Sequence, residues 1–195
     1  MTPAVLLLAV VVAYRVVLGM AGSSSFEWLH NFAPVAAIAL CGAVYLPRRA
    51  AILLPLGMLF LSDLALNLFH YHEPMLTWQI LPRYLALALI GGIGFFLRAR
   101  QMTKLTPLLV GGVASSVVFY LVTNSASWIA DPGYAKTGAD WFRAMTTGLP
   151  GLPPTWWFYK HTLISDVLFT LLFAFSMAPR RSSVPATAPA AQAAS

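Results

Sequence analysis

Charge is what this chain has least of. Asp, Glu, Lys and Arg together make up 9% of its 195 residues, against about 25% in a soluble globular domain. That leaves too little polar surface for life in water, and it excludes a soluble fold. Cysteine is nearly absent as well. The single Cys41 lies in an apolar run, which excludes a disulfide framework and a thiolate metal site. The four His residues are scattered without ligand spacing, so neither a metal site nor a cofactor is expected. Catalytic signatures are missing too, with no His-Glu-x-x-His, Gly-x-Ser-x-Gly or Walker loop. An enzyme is not expected, and no residue is assigned a catalytic role.

The net charge of +6 invites a nucleic-acid reading. The basic residues, however, fall in short connections between apolar runs, where membrane topology explains them better. No nucleic-acid partner is expected.

Hydrophobic residues make up 59% of the chain, and mean hydropathy is +0.75. Six apolar runs can be read, at 3–20, 31–46, 51–69, 80–97, 107–129 and 161–178. The expected fold is therefore all-α: a polytopic membrane protein with a six-transmembrane-helix bundle over residues 1–181. The second run is short for about 30 Å of hydrocarbon, which calls for tilt or extension at its ends. The first lacks a basic leader and is interrupted by Arg15, so it reads as a retained helix rather than a cleaved signal. Residues 182–195 are rich in Ala, Pro and Ser and read as a disordered tail.

Arg48, Arg49, Arg98, Arg100, Lys104, Arg180 and Arg181 all fall on one side of these runs. The positive-inside rule makes that side cytoplasmic, with both termini inside a multi-pass protein of the bacterial inner membrane. All six Trp then lie in or beside outer connections. An interfacial belt explains some of them, and a cover over an outward-facing site explains the asymmetry. The longest outer connection, 131–160, carries Gly133, Gly138, Gly148, Gly151 and several prolines. Its length suggests a lid or binding loop, with a short helical piece near 140–146.

Polar residues inside the apolar runs mark the candidate site. A carboxylate in hydrocarbon costs roughly 2.5–3.5 kcal/mol on insertion scales, so Asp63 needs a partner or a purpose. Asp63, Asn67 and His70 share one helix face at i, i+4 and i+7. At about 1.5 Å per residue, Asn31, Asp63, Asn124, Asp166 and Arg15 fall at similar depths in the outer third. Residues 116, 120, 123, 124, 127 and 128 form a polar stripe on the fifth run, and Thr162, Asp166 and Thr170 form another on the sixth. The expected substrate-binding set is Asn31, Asp63, Asn67, Tyr120, Asn124, Trp128, His161 and Asp166, with Arg15 as a charge partner. Helix–helix hydrogen bonding alone is the competing explanation for any one of them. The uncompensated acid can be met by protonation, by His161 or Arg83, or by a ligand. Ala39/Ala43, Ala88/Gly92, Gly111/Ser115 and Gly112/Ser116 are small-xxx-small pairs suited to close helix packing, and Ala39/Ala43 also suit a partner subunit.

Asn31-Phe32-Ala33-Pro34 with Ala37-Ile38-Ala39-Leu40, then Leu61-Ser62-Asp63-Leu64, resemble the opening motifs of an uncharacterised bacterial family regarded as transport proteins. Phe119-Tyr120-Leu121-Val122-Thr123-Asn124 with Trp128, Tyr134-Ala135-Lys136-Thr137, and Phe158 with His161-Thr162-Leu163 and Ser165-Asp166 extend the resemblance. It covers roughly residues 31–173. That family is similar to the substrate-binding S components of energy-coupling factor transporters. The resemblance implies a six-helix membrane protein that captures a small polar micronutrient from outside. It also implies a transmembrane coupling protein and ATPase subunits as partners, besides the lipid bilayer. The alternative is a proton-coupled secondary carrier using Asp63 or Asp166, with an intramembrane enzyme or a scaffold ranking below both.

Overall fold

Val-Ala-Ala-Ile-Ala-Leu-Cys-Gly-Ala-Val-Tyr, the sequence of helix α1 (Val35–Tyr45), contains no charged residue. A helix that is apolar all round belongs in a core. In the computed structural model every residue from Val35 to Val44 is buried. The structure describes residues 34–66 and 80–177, with single positions at 9, 13, 17 and 68. Those residues hold α1, α2 (Arg48–Leu66), α3 (Ile80–Ala99), α4 (Leu105–Ala130), α5 (Gly138–Met145) and α6 (Thr155–Met177), and no strand.

Helix α1 is the hub, packing against α2, α3, α4 and α6. One face, with Leu40 and Val44, meets Leu59, Leu87, Ile90, Leu97 and Leu108. The other, with Ile38 and Cys41, meets Met58 and Phe173. Small residues set how near the neighbours come. A Cβ on Gly94 of α3 would stand 2.5 Å from Ala43 Cβ and 2.7 Å from the Leu40 carbonyl oxygen. Ala43 is thus used inside the bundle. Ala88 and Gly92 lie on the outside of α3, beside an apolar groove of about 440 Å³ that Ala39 also lines.

The connections follow local chemistry. Pro47 forces Leu46 into an extended conformation (φ −94°, ψ 158°) and so ends α1. Arg98, in the last turn of α3, donates to the Leu46 carbonyl. That places a cation at the negative end of α1. Helix α3 closes with the Met102 N–H on Leu97 O (2.9 Å) and the Gln101 N–H on Arg98 O (3.0 Å). This is a Schellman ending, with Gln101 at φ 53° where glycine is usual.

Among the described residues α3, α4 and α6 are long and apolar enough to cross a membrane. Leu81, Leu85, Leu89 and Phe96 on α3, with Leu168, Leu172 and Phe175 on α6, point large apolar side chains outward. A bilayer, not water, suits such a surface, and we read the chain as a membrane protein. Helix α1 is shorter than the run expected at 31–46, and α2 carries Arg48, Arg49 and Asp63. The run at 3–20 and the tail at 182–195 lie outside the described residues. The starts of α1, α3 and α6 and the ends of α2 and α4 share one end of the bundle with α5; we term it the cap end.

Candidate functional site

Two acids sit at the cap end, Asp63 on α2 and Asp166 on α6, and each meets a different group. Asp63 on α2 accepts from the Arg83 guanidinium on α3 at 3.2 Å, with side chains 15% and 33% exposed. Asp166 on α6 is fully buried, and its Oδ1 accepts the Ala37 N–H at 3.0 Å. The reason lies in α1. Its N-cap is Pro34, which has no side-chain acceptor, so the first-turn N–H groups of a buried helix need one from elsewhere. Asp166 supplies it across the bundle, its carboxyl oxygen standing at the positive helix end.

The antiparallel α4/α6 register makes this fit. Gly112 faces Thr170, where a Cβ would stand 2.9 Å from its Oγ1. One turn on, Ser116 lies beside the Asp166 carboxylate. The hydroxyl oxygens of Ser115, Ser116, Ser165 and Thr170 and the second Asp166 oxygen are all buried without a hydrogen-bond partner. Of these, Ser116 lies beside the carboxylate and Thr170 one helical turn along α6 from it.

Above this layer, aromatic and amide groups tie the helices to the cap. The Tyr120 ring packs on Tyr159 at 4.4 Å, and its hydroxyl donates to Met145 O at the end of α5. Asn124 donates to Tyr120 O at 2.9 Å. His161 Nδ1 lies 2.9 Å from Trp157 O, and its ring meets the Trp157 edge at 5.3 Å. Trp128 offers its carbonyl to Lys136 at 2.7 Å, while its indole N–H is buried without a partner. Asn31, Asn67 and Arg15 lie outside the described residues.

The long connection is an ordered cap. Thr137 accepts from the Asp140 N–H at 3.1 Å and starts α5. Asp140 pairs with Arg143 at 3.0 Å and accepts from the Ala135 N–H at 2.7 Å. Arg143 donates to Gly133 O at 3.0 Å and lies 5.3 Å over the Tyr134 ring. Burial, with the Asp131 carboxylate nearby, holds the Tyr134 phenol above its ordinary range. The Trp141 indole donates to Ser125 on α4 at 2.9 Å, fastening α5 to the bundle.

Between the start of α3 and the end of α4 lies a half-open cleft of about 440 Å³. Arg83 and Pro82 form one wall, and Phe119, Thr123 and Ser127, one face of α4, form the other. Asp131 and Pro132 complete its rim. Pockets of roughly 300–1,000 Å³ hold small ligands. The chain belongs to DUF6580, a family of unknown function. The match spans residues 1–187. No curated protein and no solved structure matches.

For this DUF6580 member, the expected polar residues thus divide among separate arrangements. Asp63 joins Arg83, which lines the cleft, Asp166 joins the α1 start, and Tyr120 joins Tyr159 and the end of α5. Asn124 and His161 meet carbonyls of their own helices, and Trp128 offers its carbonyl to Lys136. Arg83 and Asp131 were absent from the expected binding set. The readable signal for Arg83 was a lone cation behind Pro82 in the first turn of an apolar helix. Asp131 carried none beyond its place after α4. Among the described residues no group of His, Cys, Asp and Glu is arranged to hold a metal.

Proposed function

We propose that this protein captures a small polar solute at the cap end and hands it to a transport system, in the manner of an energy-coupling factor S component. One observation carries the reading: a ligand-sized cleft lined by Arg83, Thr123, Ser127 and Asp131 at the end closed by the α5 cap. The motifs similar to the S-component-like family support it. So do Arg48, Arg49, Arg98, Arg100 and Lys104 at the opposite end, which favour a cytoplasmic placement there and an outward-facing cleft. With no nucleotide-binding motif in the sequence, ATP-driven uptake would draw on a coupling protein and ATPase subunits. The six-span bundle in the inner membrane, with both termini cytoplasmic, belongs to the same proposal.

The test is native mass spectrometry of gently purified protein. Capture predicts a small polar molecule bound in stoichiometric amount, and its loss when Asn124→Ala or Asp63→Asn disturbs the cap end. A bare wild-type protein that no polar metabolite stabilises would sink the reading.

A second reading is favoured by one observation, the buried Asp166 oxygen that lacks a hydrogen-bond partner. A proton there would complete its hydrogen bonding and make Asp166 the coupling site of a secondary carrier. Dissipating the proton gradient separates the two. A carrier stops at once, whereas uptake driven by ATP continues while ATP lasts.

A further inference from the structure

The cleft between α3 and α4 has a hydrogen-bonding sense that narrows what it can hold. Thr123 Oγ1 donates to Phe119 O at 2.8 Å, and Ser127 Oγ donates to Thr123 O at 3.2 Å. Each hydroxyl proton is therefore occupied by its own helix, and each oxygen is left to accept. Asp131 accepts the Gly133 N–H on Oδ1 at 2.7 Å, and its second oxygen adds another acceptor at the rim. The α4 side of the cleft is a wall of acceptors.

The α3 side is the reverse. Arg83 holds Asp63 through one nitrogen at 3.2 Å, and the guanidinium has further N–H donors. It stands in the first turn of α3, at the positive end of the helix. Formal charge in the cleft lining balances, Arg83 against Asp131, and so does that of their neighbours, Asp63 bonded to Arg83 and Lys136 bonded to the Trp128 and Asp131 carbonyls. A balanced site with separated signs takes a ligand of zero net charge that carries both.

Resting on the capture reading above, we infer that the α3/α4 cleft binds a small zwitterion of the amino-acid class. Its carboxylate lies on Arg83, its ammonium group lies among Asp131, Ser127 and Thr123, and its carbon skeleton lies against Phe119. An ammonium group has three donors and no acceptor, which suits the α4 wall. A guanidinium matches a carboxylate in geometry as well as charge.

The experiment is a thermal-shift titration of the full chain in detergent with four sets of probes. These are α-amino acids, their decarboxylated amines, their deaminated carboxylic acids, and uncharged sugars. The inference predicts that amino acids raise the melting temperature in a saturable way, and that the matched amines and acids bind about ten- to a hundredfold more weakly, since each lacks one charge-assisted contact. Asp131→Asn weakens amino acids but not acids, and Arg83→Gln weakens amino acids but not amines. Should Arg83→Gln fail to fold once its bond to Asp63 is lost, Asp63→Asn/Arg83→Gln removes both charges, and Ser127→Ala tests the ammonium side alone. Saturable stabilisation by sugars, amines or acids without amino acids overturns the inference and leaves capture standing. Stabilisation by none of the four sets, with wild-type protein bare in native mass spectrometry, overturns both.

Discussion

Replacing Asp166 separates an acceptor from a charge. Its Oδ1 holds the Ala37 N–H at 3.0 Å, 129 residues away in sequence, and Pro34 offers no local substitute. Losing an N-cap acceptor costs about 0.5–2 kcal/mol. Leaving a buried donor unsatisfied costs about 1–3 kcal/mol, and the two figures describe the same bond, so they do not add. Asp166→Ala also leaves a void in a fully buried position, and we expect it to destabilise the bundle by about 2–3 kcal/mol. Asp166→Asn keeps an oxygen for Ala37. Its new amide donor has the Ser116 hydroxyl oxygen beside it to bond. It should fall within about 1 kcal/mol of wild type. Reversible unfolding in mixed micelles measures both. An Asn variant as damaged as the Ala variant would mean that the charge, not the acceptor, holds α1. A harmless Ala variant would mean that the α1 start is held by something else.

Gly94→Ala should destabilise by about 1–3 kcal/mol in the same assay, because its Cβ would stand 2.7 Å from the Leu40 carbonyl oxygen. Gly92→Ala, with nothing within 4 Å of its Cβ, should be neutral or stabilising by up to about 1 kcal/mol; equal effects at the two sites would refute the packing account. Thr137→Ala removes the acceptor for the Asp140 N–H and should loosen α5 by about 1 kcal/mol. Hydrogen exchange at residues 138–145 should then quicken while the melting of the bundle stays unchanged.

The long helices were legible because apolar length is written in the sequence. The runs read at 80–97 and 107–129 became Ile80–Ala99 and Leu105–Ala130. The run read from 161 begins at Thr155, because Trp156, Trp157, Tyr159 and Lys160 hid an amphipathic first turn. The short helical piece expected near 140–146 in the long connection is α5, Gly138–Met145; the Thr137 cap that sets its start was not read from the sequence. The partners of the acids were harder. Arg83 was one of several candidates for pairing, since polar residues at equal depth do not declare which will meet. Asp166 gave no clue to its partner, because a backbone N–H carries no side-chain signature. Residue type reported which groups were costly to bury, and only the register of α1, α4 and α6 reported what met them.

Outward capture in the cleft is tested most directly at Ser127. Cys41 is fully buried, so Ser127→Cys introduces the one accessible thiol among the described residues. Intact cells carrying this variant are treated with a membrane-impermeant maleimide, with and without the small molecules extracted from purified wild-type protein. Capture predicts rapid labelling from outside and protection by the extract. Labelling that appears only after the membrane is broken, or that the extract leaves unchanged, would contradict it.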